Sequence, residues 1–272
     1  MQKILGIDKA GHGGSLDPAV TGVLPIATER ATRVVQTLLK AGKEYVALMH
    51  LHKEINEDKI RKELNDLIGK ITQIPPVRSA VKRQERKREI YYLEILEIDK
   101  QDVLFRVGCE AGTYIRKLIF DFGKKLNIGA NMQQLIRTKA GPFRIENSFT
   151  LHDLKDAYEF YKEGNENEIK KIILPMEFAV QHLPKIWVFD NCVDSLAHGA
   201  DLSIPGVSKL ESDIKEGDLV AIFSLKDELI CLGNALLESE NVLKQEKGKF
   251  VKTHKVFMER GVYPKRVIGE KK

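Results

Sequence analysis

The sequence predicts an α+β protein in which a mixed, mainly antiparallel sheet with packed helices is followed by a small β-barrel. Residues 1–183 mix strand-like runs with amphipathic helical stretches, whereas residues 184–264 hold short apolar runs separated by glycine and proline. The length of 272 residues also favours two domains. We therefore expect domains at 1–183 and 184–264, with a connector at 145–183 and a basic tail at 265–272.

The first domain begins with a glycine- and proline-rich segment, residues 10–25, which predicts an ordered loop. A helix is predicted at 26–40 and a strand at 43–52. Asn56 is placed to cap a second helix, whose apolar face includes Ile60 and Leu64 and which ends at Gly69. Strands at 90–98 and 103–109, a helix at 114–126 and a short helix near 131–138 complete this domain.

The second domain has its apolar runs at 186–189, 219–224 and 229–237, which predict the strands of the barrel. Residues 245–255 are rich in lysine, and we expect them to be mobile.

Composition excludes several classes of protein. An apolar fraction of 43% and a charged fraction of 31% indicate a folded chain. No run is long enough for a membrane span and no secretory signal opens the chain, which favours the cytoplasm. Cys109, Cys192 and Cys231 are widely separated, so neither a disulfide nor a zinc site is expected. His50 and His52 form the only close histidine pair, and no metal site is predicted.

A basic cluster follows two prolines near residue 80. It holds five cations against the single Glu85, namely Lys82, Arg83, Arg86, Lys87 and Arg88. Such a run either tracks a phosphate backbone or forms a solvated face.

The segment with the most unusual composition is GHGGSLDP at 11–18, followed by TGVLP at 21–25. Glycines at this density allow a backbone to approach a ligand closely, and Pro18 restricts the conformation of Asp17. An aspartate on such a loop suits a nucleophile or a base, although a simple Asp-Pro turn has the same composition. A Walker A loop is excluded because no Lys-Ser or Lys-Thr follows the glycines, and a serine hydrolase because Gly-x-Ser-x-Gly is missing.

The run GHGGSLDPAVTGVLP resembles the aspartate motif of the TruB and dyskerin family of pseudouridine synthases. Four further blocks resemble that family in the same order: GKEYV at 42–46, PPVRSAVKRQ at 75–84, GTYIRKL at 112–118 and LIRTKAGPF at 135–143. The segments LPKIWVFDNCVDSLAHGADLSIPGV and GDLVAIFSLKDELICLGNAL resemble the PUA domain. The resemblance covers nearly the whole chain and is closest to the archaeal catalytic subunit of box H/ACA ribonucleoproteins.

The resemblance implies an RNA pseudouridine synthase that needs no cofactor. Asp17 would attack the target uridine so that the uracil detaches, rotates and is rejoined through C5. Arg116 would pair with Asp17 and fix its orientation. Tyr45 would lie against the extruded uracil and could shuttle a proton in the last step. His12 would help to hold the flipped nucleotide, and Leu135 would form a wall of the pocket.

The same resemblance implies partners. Lys82 and Arg83 would bind the RNA backbone, and the turn that contains His198 and Gly199 would face RNA, although a plain β-turn would look the same. A box H/ACA guide RNA would select uridines in ribosomal RNA, with small H/ACA ribonucleoprotein subunits as further partners.

Two other functions agree with the same residues. The chain could be a stand-alone tRNA pseudouridine-55 synthase, or a non-catalytic RNA-binding scaffold.

The chain also departs from the resembled family at its start. A strand and a Lys-Pro-x-Gly-x-Thr-Ser block usually precede the aspartate loop, but Asp17 has only sixteen residues before it. This predicts a truncated N-terminal part or a later start codon.

Overall fold

The computed structural model describes residues 1–75 and 84–265, which divide into two units between Leu174 and Pro175. The elements of the first unit are, in chain order, α1 (Gln2–Leu5), β1 (Ala10–His12), β2 (Val20–Gly22), β3 (Ile26–Thr28), α2 (Val35–Lys40), β4 (Lys43–Leu51), α3 (Glu57–Asn65), β5 (Gly69–Gln73), β6 (Arg86–Asp99), β7 (Asp102–Cys109), α4 (Ile115–Lys125), β8 (Ala130–Ala140), β9 (Phe143–Arg144), α5 (Leu151–Lys162) and α6 (Asn167–Ile172).

The first unit is organised around one sheet with the strand order β2-β8-β4-β7-β6-β5. All neighbours are antiparallel except β2 and β8, which run parallel. β4 buries Ala47 and Met49, two residues apart as the strand period requires. α4 buries Leu118, Ile119 and Phe122 at helical spacing in the same core. The predicted mixed, mainly antiparallel sheet is confirmed.

The N-cap predicted for the second helix is confirmed. The side chain of Asn56 accepts a hydrogen bond of 2.7 Å from the backbone N–H of Asp58, and α3 buries Ile60 and Leu64. The helix ends at Asn65, before the predicted Gly69, which instead begins the edge strand β5.

The helix predicted at 26–40 is wrong over most of its length. Residues 26–28 form β3, which pairs with β1, and Glu29–Val34 is a 3₁₀ helix, so only Val35–Lys40 is α-helical. Glu29, the first residue of the 3₁₀ helix, has a φ of 47°, which the interior of a right-handed α-helix cannot contain. Its carboxylate accepts hydrogen bonds from the backbone N–H groups of Asp8 at 2.8 Å and Lys9 at 3.0 Å. Tertiary partners thus override the local helical pattern.

The short helix predicted near 131–138 is also wrong, because this segment is the interior strand β8. It lies between β2 and β4, and both of its edges find backbone hydrogen-bond partners. Sheet pairing of this kind outweighs intrinsic helix propensity, which is worth less than about 1 kcal/mol per residue.

The second unit begins with a 3₁₀ helix, Met176–Val180. Its α-helices and strands are β10 (Lys185–Val188), α7 (Asp190–Ala197), β11 (Leu202–Ser203), β12 (Val207–Leu210), β13 (Leu219–Phe223), β14 (Leu229–Ala235), α8 (Ser239–Val242) and β15 (Lys249–Val256), with a second 3₁₀ helix at Ile204–Gly206. Six strands in the order β11-β15-β14-β13-β10-β12 form a nearly barrel-shaped sheet. The predicted small barrel is confirmed.

Two features of the second unit differ from expectation. α7 was not predicted among the strands, and it buries Val193 and Leu196 against the barrel core. The lysine-rich segment predicted to be mobile contains most of β15, which pairs with β11 and β14 and buries Phe250 and Val251 completely. Across the described parts of both units, no helix combines the length and the apolarity that a membrane crossing requires.

Candidate active site

The loop that carries Asp17 is anchored to β8. β2 pairs with β8, placing Val20 beside Leu135 and Gly22 beside Arg137. Gly22 has a φ of 110°, and a Cβ atom on it would lie 2.2 Å from the carbonyl oxygen of Arg137, so only glycine fits. The backbone N–H of Val20 donates to the carbonyl of Asp17 at 2.9 Å. Asp17 is therefore presented on a turn that the sheet holds in place.

Arg137 is a residue of this site to which the sequence analysis assigned no role. It is 2% exposed and extends beneath the aspartate loop. Its guanidinium donates to three backbone carbonyls, those of Val23 at 2.7 Å, Gly14 at 3.0 Å and Ser15 at 3.4 Å. The wrong assignment of a helix to 131–138 concealed it, because an inward direction follows only from the two-residue period of β8.

Asp17 and Arg116 form a salt bridge between Oδ2 and Nη2, although 99 positions separate them in sequence. Arg116 lies in the first turn of α4. The predicted contact is confirmed. The side chains are 56% and 49% exposed, respectively. Exposed ion pairs of this kind contribute only about 0–1 kcal/mol to stability. Stabilisation of the fold is therefore a weak explanation for the Asp17–Arg116 salt bridge.

Tyr45 lies on β4 directly opposite Arg137. Burial raises the pKa of its phenol above the usual value, and the Asp17 carboxylate acts in the same direction, while the Arg137 guanidinium acts against both. The phenol is therefore protonated at neutral pH, and it lies close enough to sense both charged groups. The structure thus brings Tyr45 near the Asp17 carboxylate, while its predicted contact with the extruded uracil stays a prediction.

Lys43, like Arg137, is a residue beneath the site for which the sequence predicted no role. It is buried on β4, and its Nζ donates to the carbonyls of Leu38 at 2.9 Å, Leu39 at 3.0 Å and Ala41 at 2.6 Å. These carbonyls lie at the end of α2, where backbone acceptors lack helical partners. Burial and the Arg137 guanidinium lower the pKa of Lys43 from 10.5 to about 8, while the carbonyls favour its charged form.

This lowered pKa predicts a pH-dependent stability. Between about pH 8 and 10.5 the unfolded chain binds the lysine proton and the folded chain has lost it, so stability from this group rises with pH. We expect the free energy of unfolding of the wild type, relative to Lys43→Met, to be constant below pH 7 and to rise by about 1–3 kcal/mol above pH 8. Urea unfolding of both proteins from below pH 7 to pH 10.5 measures this difference in the free energy of unfolding. Lys70→Met, at an exposed position on β5, is the control, and parallel pH curves for wild type and Lys43→Met would contradict the prediction.

Two further predicted residues lie close to the loop in sequence or in the sheet. His12 is exposed at the end of β1, and Leu135 is buried in the core that also contacts Leu16 and Tyr45. Their predicted contacts with a nucleotide stay predictions.

The basic cluster is only partly visible, because Lys82 and Arg83 lie outside the described residues. Arg86, Lys87 and Arg88 begin β6 and pair with β5. Arg88 lies 3.5 Å from the carboxylate of Glu110 and donates to the carbonyl of Lys87 at 2.8 Å. Arg88 thus braces the loop before α4 as well as adding positive charge.

The turn with His198 and Gly199 ends α7 in the second unit. The N–H of Gly199 donates to the carbonyl of Leu196 at 2.9 Å and that of Ala200 to Ser195 at 3.0 Å, the pattern of a Schellman cap. Gly199 has a φ of 90°, which this cap requires. The glycine therefore has a structural reason to be there whether or not RNA binds.

The close histidine pair contacts other side chains. His50 Nδ1 lies 2.7 Å from Asp102 Oδ1, and His52 Nε2 lies 2.9 Å from Asn131 Oδ1. Within residues 1–75 and 84–265, no group of three or more His, Cys, Asp or Glu side chains is arranged to hold a metal ion.

Comparison with protein families matches three successive parts of the chain. Residues 2–115 match the N-terminal domain of the TruB family pseudouridylate synthases, residues 116–181 the C-terminal domain of tRNA pseudouridylate synthase B, and residues 184–257 the PUA domain. A probable tRNA pseudouridine synthase B of Pyrococcus abyssi is 58% identical over 97% of this chain and 80% of its own length. Its counterpart in Nanoarchaeum equitans is 54% identical over 99% of this chain and 78% of its own length.

Solved structures agree with this comparison. A Cbf5-Nop10-Gar1 complex contains a chain that is 57% identical, with a TM-score of 0.91 over 97% of this chain and 81% of that one. A chain in the structure of an H/ACA RNP bound to a substrate RNA containing 2′-deoxyuridine is 55% identical, with a TM-score of 0.88 over 98% of this chain and 81% of that one. Identity above one half along nearly the whole chain is shared only by members of one family. The chain therefore belongs to the TruB family of pseudouridine synthases, enzymes that isomerise uridine in RNA.

Proposed function

We propose that this enzyme converts specific uridines of ribosomal RNA to pseudouridine under the direction of a box H/ACA guide RNA, with Asp17 as its catalytic group. The salt bridge between Asp17 and Arg116 is the observation that carries the proposal, because it joins two distant family motifs at an exposed position. The related chains in the Cbf5-Nop10-Gar1 complex and in the substrate-bound H/ACA RNP support the guided form. Proteins like Nop10 and Gar1 are the proposed partners.

The reaction breaks the bond from N1 of uracil to C1′ of ribose and forms a bond from C5 to C1′. C5 loses a proton and N1 gains one, so no oxidant and no cofactor is needed. The Asp17 carboxylate attacks C1′ or assists a glycal route, and Arg116 holds it in position. Because the Tyr45 phenol is protonated, it accepts the C5 proton only in a relay that delivers its own proton toward N1, the atom that gains one.

Access to the sugar requires the uridine to leave its stack, which costs a few kcal/mol. Contacts around the aspartate loop would offset this cost, with His12 beside the flipped nucleotide and Leu135 as an apolar wall. Lys82 and Arg83 would bind the RNA backbone, and the turn at His198 and Gly199 would approach the guide.

The proposed domains are a catalytic domain at 1–183, including a connector at 145–183, a PUA domain at 184–264 and a basic tail at 265–272. A cytoplasmic location agrees with Cys109, Cys192 and Cys231, none of which forms a disulfide, because reducing compartments keep cysteines as thiols.

A stand-alone tRNA pseudouridine-55 synthase is the second candidate, since the relatives from Pyrococcus abyssi and Nanoarchaeum equitans are called probable tRNA pseudouridine synthase B.

We expect the protein to modify a guide-matched ribosomal RNA fragment efficiently only when guide RNA and partner proteins are present. Pseudouridine is measured by mass spectrometry of nuclease digests, beside a tRNA substrate. Asp17→Asn in the complete assembly is the control for background. Efficient conversion of tRNA by the protein alone would contradict guide dependence.

A further inference from the structure

Gln73 is a buried polar side chain at the end of the edge strand β5. It is 4% exposed, and its amide makes two hydrogen bonds to the backbone of one residue, Tyr114. Its Oε1 accepts from the N–H of Tyr114 at 3.1 Å, and its Nε2 donates to the carbonyl of Tyr114 at 3.2 Å. The amide thus pairs with the backbone of Tyr114 as a neighbouring strand would.

Tyr114 is the N-cap of α4, and its own side chain makes no capping hydrogen bond. The first backbone N–H groups of a helix need partners from outside it, and Gln73 supplies one at this end. Thr113 is anchored separately, since its Oγ1 donates to the carbonyl of Glu110 at 2.7 Å. The start of α4 is therefore held by side-chain bonds rather than by a cap of its own.

Arg116 lies two residues after Tyr114, in the first turn that Gln73 holds. Its side chain is 49% exposed, so packing around the guanidinium constrains it little. The position of its Cα, set by the start of the helix, decides whether the guanidinium reaches Asp17. Misplacement of a catalytic group by about 1 Å can cost about 10²-fold in rate.

We infer that Gln73 is a positioning residue for pseudouridine formation, because its amide fixes the start of α4 and thereby directs Arg116 to Asp17. This inference rests on the proposed catalytic role of the Asp17–Arg116 pair. A purely structural Gln73 would affect melting temperature but not turnover well below it. A positioning Gln73 affects turnover in the folded enzyme and acts only through Arg116.

Gln73→Met removes both hydrogen bonds at nearly constant volume. We expect it to lower kcat by about 10- to 100-fold while KM for RNA changes less than about threefold, measured well below the melting temperature. Gln101→Met, in the turn between β6 and β7, is the matched control and should retain wild-type kcat. In Gln73→Glu, a protonated carboxyl restores both hydrogen bonds and an ionised one does not, so its kcat relative to wild type should rise as pH falls.

A double-mutant cycle and an exchange measurement complete the test. In an Arg116→Met background, Gln73→Met should cause no further loss of single-turnover rate, because both changes disable the same contact. Amide hydrogen exchange of residues 114–118 should accelerate in Gln73→Met but not in Gln101→Met. Wild-type kcat in Gln73→Met, or additive losses in the cycle, would overturn the inference while leaving the proposed function intact. A wild-type protein that forms no pseudouridine with guide and partners would overturn the proposed function itself, and the positioning role with it.

Discussion

Replacing Asp17 with asparagine is expected to abolish pseudouridine formation. The amide has the same shape as the carboxylate but is neither a nucleophile nor a base, so the step that detaches uracil loses the carboxylate that carries it out. We expect the single-turnover rate on guide-matched RNA to fall by about 10³-fold or more, which corresponds to at least about 4 kcal/mol of transition-state stabilisation. RNA affinity should change by less than about threefold, since phosphate contacts dominate it.

Asp156→Asn is the matched control for this prediction. Asp156 is an exposed aspartate on α5 in the same unit, so the substitution removes the same charge away from the loop. Rate and affinity should both stay at the wild-type level. Activity in Asp17→Asn comparable to the wild type would remove Asp17 from the mechanism and would favour another role for the loop. An inactive wild type with intact RNA binding would instead indicate the RNA-binding scaffold.

The parts of the fold that the sequence predicts correctly are those with strong local patterns. β4 and β7 lie within one residue of prediction because apolar residues alternate along them, and α3 begins where Asn56 provides a cap. The segment at 131–138 lacks such a pattern. Its strand conformation depends on β2 and β4, which are more than 75 residues away in sequence, and no local rule contains that information.

The candidate site divides in the same way. Asp17, Tyr45 and Arg116 were identified through resemblance to family motifs, and the structure brings them to one place. Arg137 and Lys43 were missed because each donates hydrogen bonds to backbone carbonyls. Every residue has a carbonyl, so the sequence does not show which of them is a partner. Gln73 was missed for the same reason. Buried polar side chains beneath a loop can be predicted only after strand direction is known.

The arrangement also separates groups by function. Arg137 and Lys43 are buried and satisfied by carbonyl oxygens, which are neutral partners. Asp17 and Arg116 are exposed and satisfied by each other. A substrate can displace an exposed pair at little cost in stability, whereas disrupting the buried donors would leave several backbone acceptors unpaired. The buried, hydrogen-bonded part of the site therefore lies beneath the exposed pair that is proposed to react.

Replacing Arg116 with methionine is expected to separate activity from stability. The change keeps an unbranched side chain but removes the guanidinium that contacts Asp17. We expect single-turnover rate to fall by about 10²- to 10³-fold, because the carboxylate loses its fixed orientation toward the sugar. The free energy of unfolding should fall by less than about 1 kcal/mol, as for other exposed ion pairs.

Arg61→Met provides a matched comparison for this last prediction. Arg61 pairs with Glu57 on α3, and the two side chains are 50% and 52% exposed, close to the values for Arg116 and Asp17. Both variants remove one exposed arginine from one ion pair, so chemical denaturation should give similar small losses of stability. Only Arg116→Met should lose activity. Equal rates in the two variants would reduce the Asp17–Arg116 contact to an ordinary surface ion pair, and a large loss of stability in Arg116→Met alone would assign it to folding instead.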